Sequence, residues 1–195
     1  MASSHTTHDP TTPTHGAPAS GERLSANASR ALALLRICFG LTFLWAFFDK
    51  AFALGFATGR AEDGTVDRFG DAAWINGGSP TEGFLAYGAS GPFTSFYNSI
   101  AGAAWADWLF MIGLLGIGLA LTLGIGMRVA AVTGAILYVL MWTAALPMTT
   151  NPIIDDHLTG AMTLIVLALT AAGTTWGLGT WWAKQPVVQS NRWLI

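Results

Sequence analysis

The stretch WLFMIGLLGIGLALTLGIGM, residues 108–127, runs for 20 positions without a charge. A hydrocarbon core is crossed by about 20 predominantly apolar helical residues, so this segment reads as a membrane span. The pattern repeats outward from it. Beyond the single charge of Arg128, residues 129–154 are 26 uncharged positions, and beyond Asp155-Asp156-His157, residues 158–183 are another 26. Upstream, residues 31–48 form an 18-residue segment interrupted only by Arg36 and closed by Asp49-Lys50. All are rich in Leu, Ile, Val, Ala, Met and Gly, the composition of membrane helices. They predict transmembrane helices at about 29–49, 105–127, 129–147 and 155–177. The fold class is therefore an all-α integral membrane protein, a four-transmembrane-helix up-down bundle, with an extracytoplasmic insertion of short helices between helices 1 and 2.

Composition agrees. Of the 195 residues, 52% are hydrophobic and 10% charged, with a mean hydropathy of +0.49, whereas soluble domains carry about 25% charged residues. The net charge of -2 leaves no basic surplus for a phosphate backbone, which argues against nucleic acid as a partner. The lone cysteine, Cys38, excludes dithiol chemistry, an internal disulfide and a zinc ribbon built from this chain.

Residues 83–106 are also uncharged, but Gly83, Gly88, Gly91, Pro92 and Gly102 among several Ser and Thr argue against a lipid-exposed span. Ser79-Pro80-Thr81-Glu82 matches a capping box, and Gly91-Pro92 opens a second short helix whose Phe93, Phe96, Tyr97 and Ile100 can share a face. An outer cap over about 51–104 follows. The basic residues set orientation: Arg23, Arg30, Arg128, Lys184 and Arg192 inside against Lys50, Arg60 and Arg68 outside, with the inverted topology as the alternative. Residues 1–28, with His5, His8 and His15, read as a disordered cytoplasmic tail rather than a signal peptide or metal site. Residues 183–195 read as an interfacial tail, with Trp176, Trp181, Trp182 and Trp193 at headgroup depth. The stripe Gly116, Ala120, Gly124 predicts close helix packing.

Ionisable groups inside or at the edge of membrane helices need a reason. Arg36 can bond helix-end carbonyls, or hold an anion or a quinone carbonyl through paired donors. Asp49, Lys50, Asp107 and the group Asp155, Asp156, His157 all fall at one face by topology. Caps explain part of this cluster; His157 beside two carboxylates also suits proton transfer near neutral pH. Trp45 and the other outer tryptophans serve either as a belt or as walls for a flat ring.

At Trp45-Ala46-Phe47-Phe48-Asp49-Lys50, at Ala106-Asp107-Trp108-Leu109-Phe110-Met111, and from Asn151-Pro152 through Asp155-Asp156-His157, the chain resembles the DoxX/DoxD family of small prokaryotic membrane proteins, over about residues 30–182. The resemblance implies a four-helix fold in the cell (inner) membrane, with the DoxD branch known as the membrane subunit of a thiosulfate:quinone oxidoreductase. The insertion around Trp74-Ile75-Asn76-Gly77-Gly78-Ser79-Pro80 is similar to a DoxD-like subgroup. The family supplies no catalytic motif to carry over, so site candidates come from the charges. His157 and Asp156, with Asp155, are the catalytic relay; Arg36, Asp49, Lys50, Asp107 and Trp45 are the substrate and quinone contacts. The helix start after Ser79 is an anion seat. Quinone is expected as a substrate, and no metal, heme or flavin ligand set is visible. The lipid membrane, a partner redox subunit and a second copy of the chain are the candidate partners. Two alternatives stand beside the redox reading: a non-catalytic scaffold or anchor for a redox or stress-response complex, and a small-solute transporter, for which an inverted repeat is missing.

Overall fold

A computed structural model describes residues 24–148, 151 and 153–195; the expected histidine-bearing tail lies outside them, except for its last residues. Helix α1, Ala26–Phe52, starts earlier than that expectation, because Ser25 Oγ accepts the amide of Ala28 at 3.2 Å as an N-cap. It is followed by α2 (Thr94–Ile100), α3 (Ala104–Leu123), α4 (Met127–Ala144), α5 (Asp156–Leu169) and the short α6 (Gly179–Trp182) and α7 (Pro186–Ser190). Among the described residues there is no strand, only an isolated bridge between Arg60 and Val66. Helices α1, α3 and α4 are long and apolar enough to cross a membrane, while α5 is apolar but has 14 residues.

The turn between α3 and α4 is Gly124-Ile125-Gly126. Both glycines have positive φ, 73° and 57°, so the helix stops at Leu123 rather than at 127. Helix α4 ends at Ala144, ahead of Pro147, which disfavours helical backbone before it. Helix α5 ends at Leu169, eight residues short of the expected end: Thr170 is its C-cap, and Ala171 and Trp176 both take positive φ. The segment after it folds back into the protein, with Ala172 and Gly173 buried. Non-helical backbone at membrane depth is tolerated only under such cover.

Two antiparallel pairs form the body, α1 on α3 and α4 on α5. Close approach at the first pair depends on Gly40 and Gly118. A Cβ on Gly40 would stand 2.4 Å from Thr122 Oγ1, and one on Gly118 would stand 2.9 Å from the backbone nitrogen of Leu44. At the second pair, Gly160 accepts the ring of Tyr138 and Gly134 accepts Leu164. The expected stripe is thus displaced. Gly116 has nothing within 4 Å of an added Cβ, while Gly118 makes the helix contact. Phe43, Met111, Ile117, Leu121, Leu164 and Leu167 form the shared core.

Between α1 and α3 lie the 3-10 turn Trp74–Asn76, the π-helical segment Gly83–Gly88, the 3-10 turn Gly91–Phe93 and α2. We call their side of the molecule the cap end. The opposite end carries the α3–α4 turn and the residues after α5.

Candidate functional site

Three of the charged residues expected in the site are buried in bonds to their own chain. Arg36 is fully buried. Its guanidinium donates to the carbonyls of Leu121 and Thr122 (the latter at 3.0 Å) at the end of α3, and to Thr175 and Trp176 (3.4 and 2.9 Å) beyond α5. Of the two readings of Arg36, helix-end bonding is the one its contacts express. The guanidinium sits at the negative end of the α3 dipole and satisfies carbonyls that the helix leaves open. The glycines nearby make room: a Cβ on Gly173 would stand 2.4 Å from the Gly124 carbonyl, and one on Gly177 would stand 3.0 Å from Arg36 Nη2.

Asp49, 1% exposed, turns its carboxylate to the loop that follows α1 and accepts the amides of Phe56, Ala57 and Thr58 at 2.9–3.1 Å. Arg60 and Arg68 brace the same loop through the carbonyls of Gly55 and Leu54. Asp107 does the corresponding work for the cap. Its Oδ1 accepts Ser79 Oγ at 2.8 Å, Thr81 Oγ1 at 2.6 Å and the amide of Thr81 at 3.1 Å. The anion seat expected after Ser79 therefore holds an anion supplied by the chain itself. Ser79 Oγ in turn accepts the amide of Glu82 at 3.1 Å, half of the expected capping box. Across the cap, Tyr97 donates to the Leu140 carbonyl and Ser90 bonds the carbonyls of Ala144 and Leu146. The cap is thus tied to α3 on one side and to α4 on the other.

Beneath it, between α3 and α4, lies a cavity of about 1620 Å³. Its walls are mostly apolar, with Phe110, Gly113, Gly116 and Ala120 of α3 facing Leu137 and Leu140 of α4. It reaches from Lys50, Thr58 and Thr81 at the cap end to Trp182 and Leu194 at the other. Lys50 Nζ stands 5.9 Å from the Phe110 ring centroid, a cation–π distance, and has no ion pair among the described residues. Sequence reasoning had missed the cavity. Gly113 and Gly116, which leave room for it on α3, look in sequence like the packing glycines beside them and give no separate signal.

His157, Asp155 and Asp156 are outside that lining. His157 Nδ1 lies 2.6 Å from Asp155 Oδ2 and 3.7 Å from Asp156 Oδ1, and its ring meets Tyr138 edge-on at 6.2 Å. With Nδ1 engaged, Nε2 is the nitrogen left to exchange a proton. Burial pushes the Asp155 carboxyl upward, but hydrogen bonds from His157 and the Leu158 amide and the charge of His157 outweigh it, so it titrates below the usual carboxylate range. The three side chains place donor atoms within 4.8 Å of one another, a set chemically able to ligate a divalent cation. Trp45 is half exposed and meets Phe56 edge-on at 4.9 Å, in the loop that Asp49 holds. The sequence candidates therefore separate into structural anchors (Arg36, Asp49, Asp107), a cavity cation (Lys50) and a carboxylate–imidazole group at the start of α5. No protein-family model, curated protein or solved structure matches the chain.

Proposed function

We propose that this is a quinone-linked redox subunit of a prokaryotic cell membrane, built as a four-span up-down bundle with its cap outside and both termini in the cytoplasm, and acting on a small sulfur anion such as thiosulfate. The observation that carries the reading is the apolar cavity with the Lys50 ammonium at its capped end. An isoprenoid tail would lie along α3 and α4, and a quinone carbonyl would accept from Nζ. The resemblance to the DoxX/DoxD family points to the same substrate pair.

The chemistry balances without a further co-reactant. Two thiosulfate anions join through a new S–S bond to give tetrathionate and release two electrons, and the quinone takes these with two protons to become quinol. Neither Asp49 nor Asp107 lines the cavity; both carboxylates are turned to amide and hydroxyl donors of the loop and the cap rather than toward an incoming anion. His157, oriented by Asp155 and lying outside the cavity lining, is assigned to relaying protons at the cap end, with Asp156 exposed beside it.

Reconstituted protein with a ubiquinone or menaquinone analogue should reduce the quinone when thiosulfate is added. Lys50→Met should raise the quinone KM about tenfold, the size expected for one hydrogen bond to a charged donor. His157→Ala should abolish turnover in a folded protein, and an unchanged rate would remove it from the mechanism. A second reading, a non-catalytic anchor, is favoured by the three buried charges bound to backbone and cap, which make a stiff frame. Absence of turnover by the pure protein, together with a co-purifying soluble enzyme, would establish that reading instead.

A further inference from the structure

The end of the molecule opposite the cap has a second cavity, of about 430 Å³, lined by Arg128 and Lys184 with Thr180, Trp182 and Leu169. Arg192 adjoins it through its backbone, whose carbonyl accepts Arg128 Nη1 at 3.1 Å. None of the three is in an ion pair among the described residues. The reason is the distribution of acid. Every described acidic side chain, from Asp49 through Asp107 and at Asp155 and Asp156, lies in the cap or at a helix end beside it. The basic end has no acidic side chain among the described residues; the carboxyl of Ile195, on the pocket wall, is held by the Arg128 amide at 3.1 Å.

Two further features define what such a pocket takes. Leu169, on its wall, is 81% exposed, so the cations stand next to bare apolar surface. Trp176, Trp181 and Trp193 are also more than half exposed at this end, and indole favours the headgroup layer of a bilayer. A soluble anion has no use for the leucine. An amphiphile with an anionic head uses both. We propose that this pocket is a binding site for an anionic phospholipid, with the phosphodiester on Arg128 and Lys184 and an acyl chain over Leu169.

Native mass spectrometry of the full chain in non-ionic detergent tests the assignment, with dioleoyl phosphatidylglycerol, cardiolipin and dioleoyl phosphatidylcholine as probes. The anionic lipids should be retained over phosphatidylcholine, and the double substitution Arg128→Gln/Lys184→Gln should weaken their binding about 30-fold, from two lipid-facing cations. Lys184 makes no side-chain hydrogen bond among the described residues, so Lys184→Gln alone should give an intermediate loss in a fully folded chain. The same change of charge at the cap end, Arg60→Gln/Arg68→Gln, should leave binding as it was. Equal retention of phosphatidylcholine, an unchanged affinity in Lys184→Gln, or displacement of the lipid by millimolar inorganic phosphate would each overturn the proposal.

Discussion

Asp155 serves two partners with one carboxylate. Oδ1 accepts the Leu158 amide at 3.0 Å and caps α5, while Oδ2 holds His157 Nδ1. A carboxyl whose pKa is depressed in the folded state contributes stability above its unfolded pKa, about 3.9, and loses that contribution as pH falls through the lower folded value. Asp155→Asn retains an acceptor for the cap but has no charge at any pH. Thermal melts in detergent should place the wild type above this variant at pH 7, and the difference should shrink below about pH 4. Asp155→Ala also loses the cap, a further cost of about 1 kcal/mol. A difference that stays constant from neutral pH to pH 3 would contradict the role given to the carboxylate. The Asp155–His157 pairing was legible because it is local. The partners of Arg36 were not, because they are backbone carbonyls of residues 121, 122, 175 and 176, and a carbonyl has no sequence signature. The same holds for Asp49, whose partners are three amides.

Apolar periods and uncharged gaps locate helices well, since burying charge in hydrocarbon is unfavourable whatever the packing. They do not identify which face of a helix meets a neighbour. On and just past α3 the glycines at 113, 116, 118 and 124 look alike in sequence, yet 118 lies against α1, 124 against the segment beyond α5, and 113 and 116 against open space. Gly118→Leu should therefore separate α1 from α3, with loss of monodisperse protein on size exclusion, as overpacking of a helix contact costs 1–3 kcal/mol or about that. Gly116→Leu should fold with unchanged or slightly raised melting temperature, because leucine is the better helix former by about 1 kcal/mol, while its side chain narrows the cavity and weakens quinone binding. If Gly116→Leu unfolds the protein and Gly118→Leu does not, α3 does not meet α1 at Gly118. The early end of α5 has a similar origin. Gly173, Gly177 and Gly179 sit within one uncharged gap, and hydropathy counts them as neutral members of a span. Their function is steric, allowing the chain to pass over Gly124 and under Arg36.

At the scale of the whole molecule, the disposition of charge and the number of crossings are linked. Described acidic side chains gather at the cap end, where Lys50, Arg60 and Arg68 accompany them, and Arg128, Lys184 and Arg192 lie at the other end without acidic neighbours, the polarity expected when basic residues stay on the cytoplasmic side. Helix α5 decides whether that polarity spans a bilayer. Its 14 residues rise about 21 Å at 1.5 Å each, less than the roughly 30 Å of a hydrocarbon core. The remaining thickness has to come from residues 170–178, which are bonded into the bundle through Arg36 and through the amide of Leu178 on the Leu123 carbonyl at 2.8 Å. If α5 and this segment cross together, the cap and the residues after α6 are on opposite sides. If only α1, α3 and α4 cross, they share one side. Single cysteines at Ser79 and Ser190, introduced after Cys38→Ser removes the native thiol, should accordingly label from opposite faces of sealed vesicles with an impermeant maleimide. Labelling of both from the same face would reduce the bundle to three spans and place Arg128, alone among the three cations of the basic end, on the side away from the cap.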